Sequence, residues 1–251
     1  MLVVIGVISV LLVALIPAFT TRKTADDFNN ALYTLKGAFE TARTYAQAHN
    51  TYTWIGLYEE NGSTDSGTTA TPGVGRLVVS VVASKDGTTI YNPNTSGDID
   101  PSRLEQVGNL VRIENVHVPI LAAGSGTGDK FDTRPPPDWN SFNGAIDSTF
   151  GELNAGANSA PHTDTSFPFQ YPVGNPAPRA QYIFVKTMRF SPRGEGNINS
   201  TYDLRRVVEI GLVPTHKNVA PSPTPEPGKY QGNVAAVQVS GLASTVKIFR
   251  R

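Results

Sequence analysis

The sequence has no cysteine, which excludes disulfide staples, thiolate nucleophiles and cysteine-bound zinc. Histidine is scarce. His49, His117, His162 and His216 stand far apart with no HxH or HExxH spacing, so each reads as a structural or surface residue. An excess of either charge is also missing: 21 basic and 21 acidic side chains cancel, unlike the basic footprint of a nucleic-acid binder. No serine occupies a Gly-x-Ser-x-Gly elbow. Gly124–Lys130 has the composition of a phosphate loop but not its Gly-Lys-Ser/Thr ending. These absences point away from an enzyme, and no cofactor is expected.

The N-terminus lacks charge altogether. Between Leu2 and Phe19 the only polar side chain is Ser9, and the polar run TTRKTAD follows. A helix rising about 1.5 Å per residue would nearly cross a hydrocarbon core of about 30 Å over such a stretch. The stretch is longer than the apolar part of a secretory signal and has no basic residues ahead of it. It also has no polar stripe, as a helix on a soluble core would. The reading is a membrane-spanning or filament-core helix over residues 1–20. Gly6 and Pro17 are its weak points, the proline because it removes a backbone donor.

From Thr24 the pattern changes. Phe28, Leu32, Leu35, Phe39, Ala42 and Ala46 step by four and three, one face of a helix, while Asp26, Asp27, Lys36, Glu40 and Arg43 fall mostly outside it. Residues 21–50 are therefore an amphipathic extension, its apolar face expected against the rest of the chain through Phe28, Leu32, Leu35 and Phe39. Asn50 is a suitable left-handed terminator.

Residues 51–251 read as one β-rich head, with 39% apolar and 17% charged residues in the chain, 23 Gly and 19 Pro. Strands are expected at Tyr52–Glu59, Leu77–Ala83, Leu110–Val118, Tyr182–Phe190, Val207–Val213, Ala235–Val239 and Thr245–Phe249. Lys85-Asp86-Gly87-Thr88 reads as a hairpin turn. About 119–180 the periodicity lapses into a Pro/Gly-rich insertion with scattered aromatics (Phe131, Trp139, Phe142, Phe150, Phe167, Phe169, Tyr171), a length that is usually functional or partly disordered, the aromatics arguing against full disorder.

The run LVVIGVISVLLVALIP resembles the N-terminal segment of type IV pilins and type II secretion pseudopilins. Met1-Leu2-Val3-Val4-Ile5 matches the tail of their Phe-Thr-Leu-x-Glu-(Leu/Met)-Leu-(Val/Ile)-(Val/Ile)-Ile motif, and Pro17 falls where family members carry a helix proline. Phe-Thr-Leu-x-Glu, the prepilin N-methylation site, is then expected just upstream of Met1. MRFSPRGEG at Met188–Gly196 and the closing AAVQVSGLASTVKIFRR are similar to the terminal strands of the H-type and FimT-like minor pseudopilins, and YAQAHNTYTWIGLYEENG at Tyr45–Gly62 resembles the helix-to-first-strand junction of large pseudopilins.

The resemblance implies an α+β fold, a long N-terminal hydrophobic helix packed on an antiparallel β-sheet head. It also implies a structural subunit of a pilus-like or pseudopilus filament serving protein transport, with the helix in the bacterial inner membrane and the head in the periplasm or at the cell surface. Implied partners are further pilin-like subunits, an assembly platform protein and ATPase, and a prepilin peptidase. The helix residues expected to carry assembly are Leu2, Val3, Val4, Ile5, Gly6, Ile8, Leu11, Leu12, Leu15 and Pro17.

Two alternatives stand beside it. In a DNA-binding minor pilin, Lys247, Arg250 and Arg251 would contact phosphates, although the neutral charge balance speaks for a solvated strand end and nucleic acid is not expected. In a membrane-anchored ligand-binding head, the aromatic-rich insertion would capture the ligand. Residues 92–100 gather oxygen ligands of the kind calcium takes, with Asp98 and Asp100 as the candidates, but without EF-hand spacing.

Overall fold

The computed structural model describes residues 2–65, 67, 70–90, 99–137, 168–197, 207–222, 228–243 and 245–251, with side chains from Ala25 onward. Helix α1 runs Leu2–Ala48. It closes with Asn50 at φ 49° and the Thr51 amide donating to the Ala46 carbonyl at 3.0 Å, the paired signature of a left-handed cap. Thr53 Oγ1 then donates to the Ala42 carbonyl at 2.9 Å and folds the chain back beneath the helix.

Eleven strands follow among the described residues: β1 Thr53–Asn61, β2 Gly75–Ser84, β3 Leu104–Gln106, β4 Val111–His117, β5 Phe169–Tyr171, β6 Tyr182–Phe184, β7 Lys186–Phe190, β8 Gly196–Asn197, β9 Val208–Pro214, β10 Ala235–Val239 and β11 Val246–Arg250. Nine form one antiparallel sheet in the order β11-β10-β9-β4-β2-β1-β7-β8, with β3 also on β2. Strands β5 and β6 make a separate two-stranded ladder.

Alternation along the strands sends successive side chains to opposite faces. Ile55 and Leu57 of β1, Leu77, Val79 and Val81 of β2, Ile210 and Leu212 of β9 and Val237 of β10 face α1. There they share one core with Phe28, Leu32, Leu35, Phe39, Ala42 and Ala46. On the other face Trp54, Tyr58, Val78 and Val82 pack under the β5–β6 hairpin through Phe169, Tyr182 and Phe184. Gly56 makes this contact possible, because a Cβ there would lie 2.6 Å from Phe184. A third cluster of Leu121, Phe131, Val213, Tyr230, Val234, Ala236 and Phe249 covers β9–β11.

The structure corrects the expected α+β arrangement of a long hydrophobic helix packed on the sheet. The fold is mostly antiparallel sheet, and the segment described on it is Ala25–Ala48, which is amphipathic. Only a stripe of a helix can meet a flat sheet, and Asp26, Asp27, Tyr33, Thr34, Glu40, Thr41 and Thr44 are left facing outward. Among the residues whose side chains are described, no helix is long and apolar enough to cross a membrane. This overturns the membrane-spanning reading and, with it, the inner-membrane localisation with a periplasmic head. The predicted helix residues Leu2, Val3, Val4, Ile5, Gly6, Ile8, Leu11, Leu12, Leu15 and Pro17 have side chains outside the described ones.

Two local expectations also change. Lys85–Thr88 is a bend rather than a tight hairpin turn, since the end of β2 pairs with β3, register Ser84↔Leu104. Asp86 organises the bend, accepting from Ser84 Oγ at 2.8 Å, the Thr88 amide at 3.0 Å and Arg103 at 2.5 Å. The single strand expected over Tyr182–Phe190 breaks at Val185 into β6 and β7, which belong to different sheets.

Candidate assembly surfaces and buried polar groups

Helix α1 positions the first candidate surface. Phe28 is 5% exposed, and Leu32, Leu35 and Phe39 are fully buried. The outer side of this segment is polar, joined by the exposed Tyr33. A cleft between α1 and β4 is lined by Asp27, Asn30, Thr34, Arg112, Glu114 and Asn115. Arg76 beside it donates to Glu114 at 2.5 Å and to Glu60 at 3.1 Å.

Of the C-terminal cations, Lys247 and Arg250 lie on β11 and Arg251 just after it, but each faces a neighbour of opposite charge or an acceptor. Lys247 lies 3.8 Å from Asp129 and Arg251 lies 3.7 Å from Asp132. Arg250 donates to the side chain of Asn29 on α1, and Arg251 also donates to the Tyr230 carbonyl at 3.3 Å. The acids come from the segment after Gly128, which sequence spacing gives no reason to place there.

Asp100 caps the short 3-10 turn Pro101–Arg103, accepting from the Ser102 amide at 2.9 Å. That bond holds its carboxyl below the usual range. Asp98 lies outside the described residues. Among the described residues no group of three or more His, Cys, Asp or Glu side chains could hold a metal ion. Of the insertion's aromatics, Phe131 and Phe169 are core side chains and Tyr171 is half-buried against the hairpin; Trp139, Phe142, Phe150 and Phe167 lie outside the described residues.

The most developed polar chemistry is buried, and residue spacing along the chain does not reveal it. Arg134 reaches Glu209 through Nε at 2.7 Å and Nη2 at 2.8 Å, and donates to the carbonyls of Phe131 and Ala122 at 2.9 and 2.7 Å. Both charges are 1% exposed. Gln238 joins them, donating to Glu209 at 2.7 Å and to the Pro135 carbonyl at 2.6 Å. The network pins the segment running from Ala122 to Pro135 across β9 and β10. Elsewhere Glu59 Oε1 lies 2.8 Å from His117 Nδ1, both almost wholly buried. Burial pushes the Glu59 carboxyl up to about 7, with His117 pulling the other way. A charge inside an apolar strand run, as Glu59 and Glu209 are, was the available signal.

Among the described residues these groups satisfy one another across the sheet rather than converge on a cleft. Comparison with protein-family models, curated proteins and solved structures found no match. The pilin, secretion and protein-transport vocabulary of the sequence reading therefore gains no support from relatives.

Proposed function

We propose that this chain is a structural subunit of a pilin-like filament that assembles with other copies through the N-terminal part of α1. One observation carries the reading. The sequence between Leu2 and Phe19 has no charge at all, and it precedes, in a helix beginning at Leu2, the amphipathic stretch that packs on the sheet through Phe28, Leu32, Leu35 and Phe39. An uncharged apolar run of that length in the sequence needs a cover of similar chemistry, and the equivalent runs of other copies supply one. The resemblance of LVVIGVISVLLVALIP to pilin N-termini agrees with this. An assembly platform, an ATPase and a prepilin peptidase are the partners such a subunit would use.

The chain has no cysteine of its own, so a single one reports proximity cleanly. Leu12→Cys should give disulfide-linked dimers on mild oxidation of assembled protein, whereas Ser63→Cys on the head should not. Equal cross-linking at both positions, or none at residue 12, would remove the helix from the interface. The acidic partners of Lys247 and Arg251 weigh against the DNA-binding alternative.

A further inference from the structure

Two strand edges of the large sheet are left open. Strand β11 ends the sheet on one side and pairs only with β10, from Val246 to Arg250. The other opening lies within the sheet. Strand β4 pairs with β2 from Val111 to Val116, but meets β9 only at a short seam, Val116↔Pro214 and His117↔Val213. The seam divides the sheet into two halves and leaves the rest of β4 uncovered on its β9 side. Among the described residues, no backbone hydrogen bond leaves the outer edge of β11 or the β9 side of Val111–Glu114.

An unpaired edge is a template for another strand, and proteins guard such edges with charge. The two edges here carry opposite charge. Lys247 on β11 is two-thirds exposed, and Arg250 and Arg251 beyond it are exposed as well. Beside the β4 edge lies a cleft of about 430 Å³ whose walls include Asp27 of α1 and Glu114 of β4. Glu114 is half exposed, while the cation on that edge, Arg112, turns to the Tyr182 hydroxyl at 3.5 Å. The apolar positions match too. Ile113 and Ile248 both pack into the core that α1 covers, so joining the two edges keeps the same face of the sheet inward.

We infer that β11 of one copy adds to the open edge of β4 in the next, antiparallel, with Lys247 opposite Glu114 and Ile248 opposite Ile113. Pairing two β11 edges instead would bring Lys247 and Arg250 of both copies together, and like charges across a strand pair destabilise it. Because the joined edges differ, the contact does not close on itself, and each copy still offers an edge to a further one. Val111–Glu114 against Lys247–Arg250 is a small interface. It therefore rests on the helix assembly proposed above, which holds the edges at high effective concentration.

The chain has no cysteine, and directly opposed strand residues suit a disulfide. Full-length Glu114→Cys and Lys247→Cys chains, one carrying a mass tag, should therefore give a mixed disulfide dimer when co-assembled and mildly oxidised. Neither variant alone should link above the Ser63→Cys background. Amide exchange of unmodified assemblies, set against the Leu12→Asp chain, is the second measurement. Protection at the outward amides of Val111–Glu114 and Val246–Arg250 should rise about tenfold on assembly, with β1 unchanged. If Leu12→Cys cross-links while the mixed pair does not, and exchange at both edges stays the same, the edge contact is overturned and helix assembly stands. Linking by either variant alone as strong as in the mixture would overturn it too, since like edges would then be meeting. No cross-link at any of these positions removes both readings.

Discussion

The two faces of the sheet are closed in different ways. On one, a single helix lays Phe28, Leu32, Leu35, Phe39, Ala42 and Ala46 over an aliphatic surface drawn from β1, β2, β9 and β10. On the other, an aromatic hairpin covers β1 and β2, and a separate segment covers β9–β11, fastened by the buried Arg134–Glu209 pair. The first face is continuous across the β4–β9 seam; the second is divided at it. Non-directional burial tolerates a helix spanning both halves. The divided face instead depends on hydrogen bonds whose partners must arrive together.

The sharpest way to break this contrast is to remove one member of the buried pair. Arg134→Met leaves Glu209 buried without its main counter-charge and should cost about 3–5 kcal/mol, read by urea unfolding. Adding Glu209→Leu should recover most of that loss. No recovery would mean that Arg134 acts through the Phe131 and Ala122 carbonyls instead.

On the continuous face, Leu35→Ala should cost about 2–5 kcal/mol through lost burial and the cavity left behind. Here no second substitution should rescue it. Smaller still is Gly56→Ala, whose methyl would press on Phe184 and Phe169 and cost about 1–3 kcal/mol of overpacking. Near-ultraviolet circular dichroism should show the aromatic cluster disturbed while the helical signal stays.

The continuous face was legible in the sequence because its information is local. The four-three spacing from Phe28 to Ala46 marks the stripe that is buried. Asn50 marks the helix end, and the run at Ala235–Val239 coincides with β10. The divided face was not legible because its determinants are distant in the chain: Arg134 and Glu209 are 75 residues apart, and Gln238 joins them from β10. Phe131 and Phe169 stood in what read as an insertion, with no period to show that they are core. The split of Tyr182–Phe190 had a similar cause, since a continuous apolar run does not say which sheet each half joins. The membrane reading treated the apolar run and the amphipathic segment as one device. The described packing belongs to the second of these alone.

The assembly proposal turns on whether the apolar N-terminal part of α1 holds copies together while the sheet holds the head. Sedimentation velocity of the full chain beside Leu12→Asp measures this directly. The account predicts large assemblies for the unmodified chain and monomers for Leu12→Asp, with the same unfolding midpoint for both heads. Assemblies that persist in Leu12→Asp, or an unmodified chain that sediments as a monomer, would contradict it.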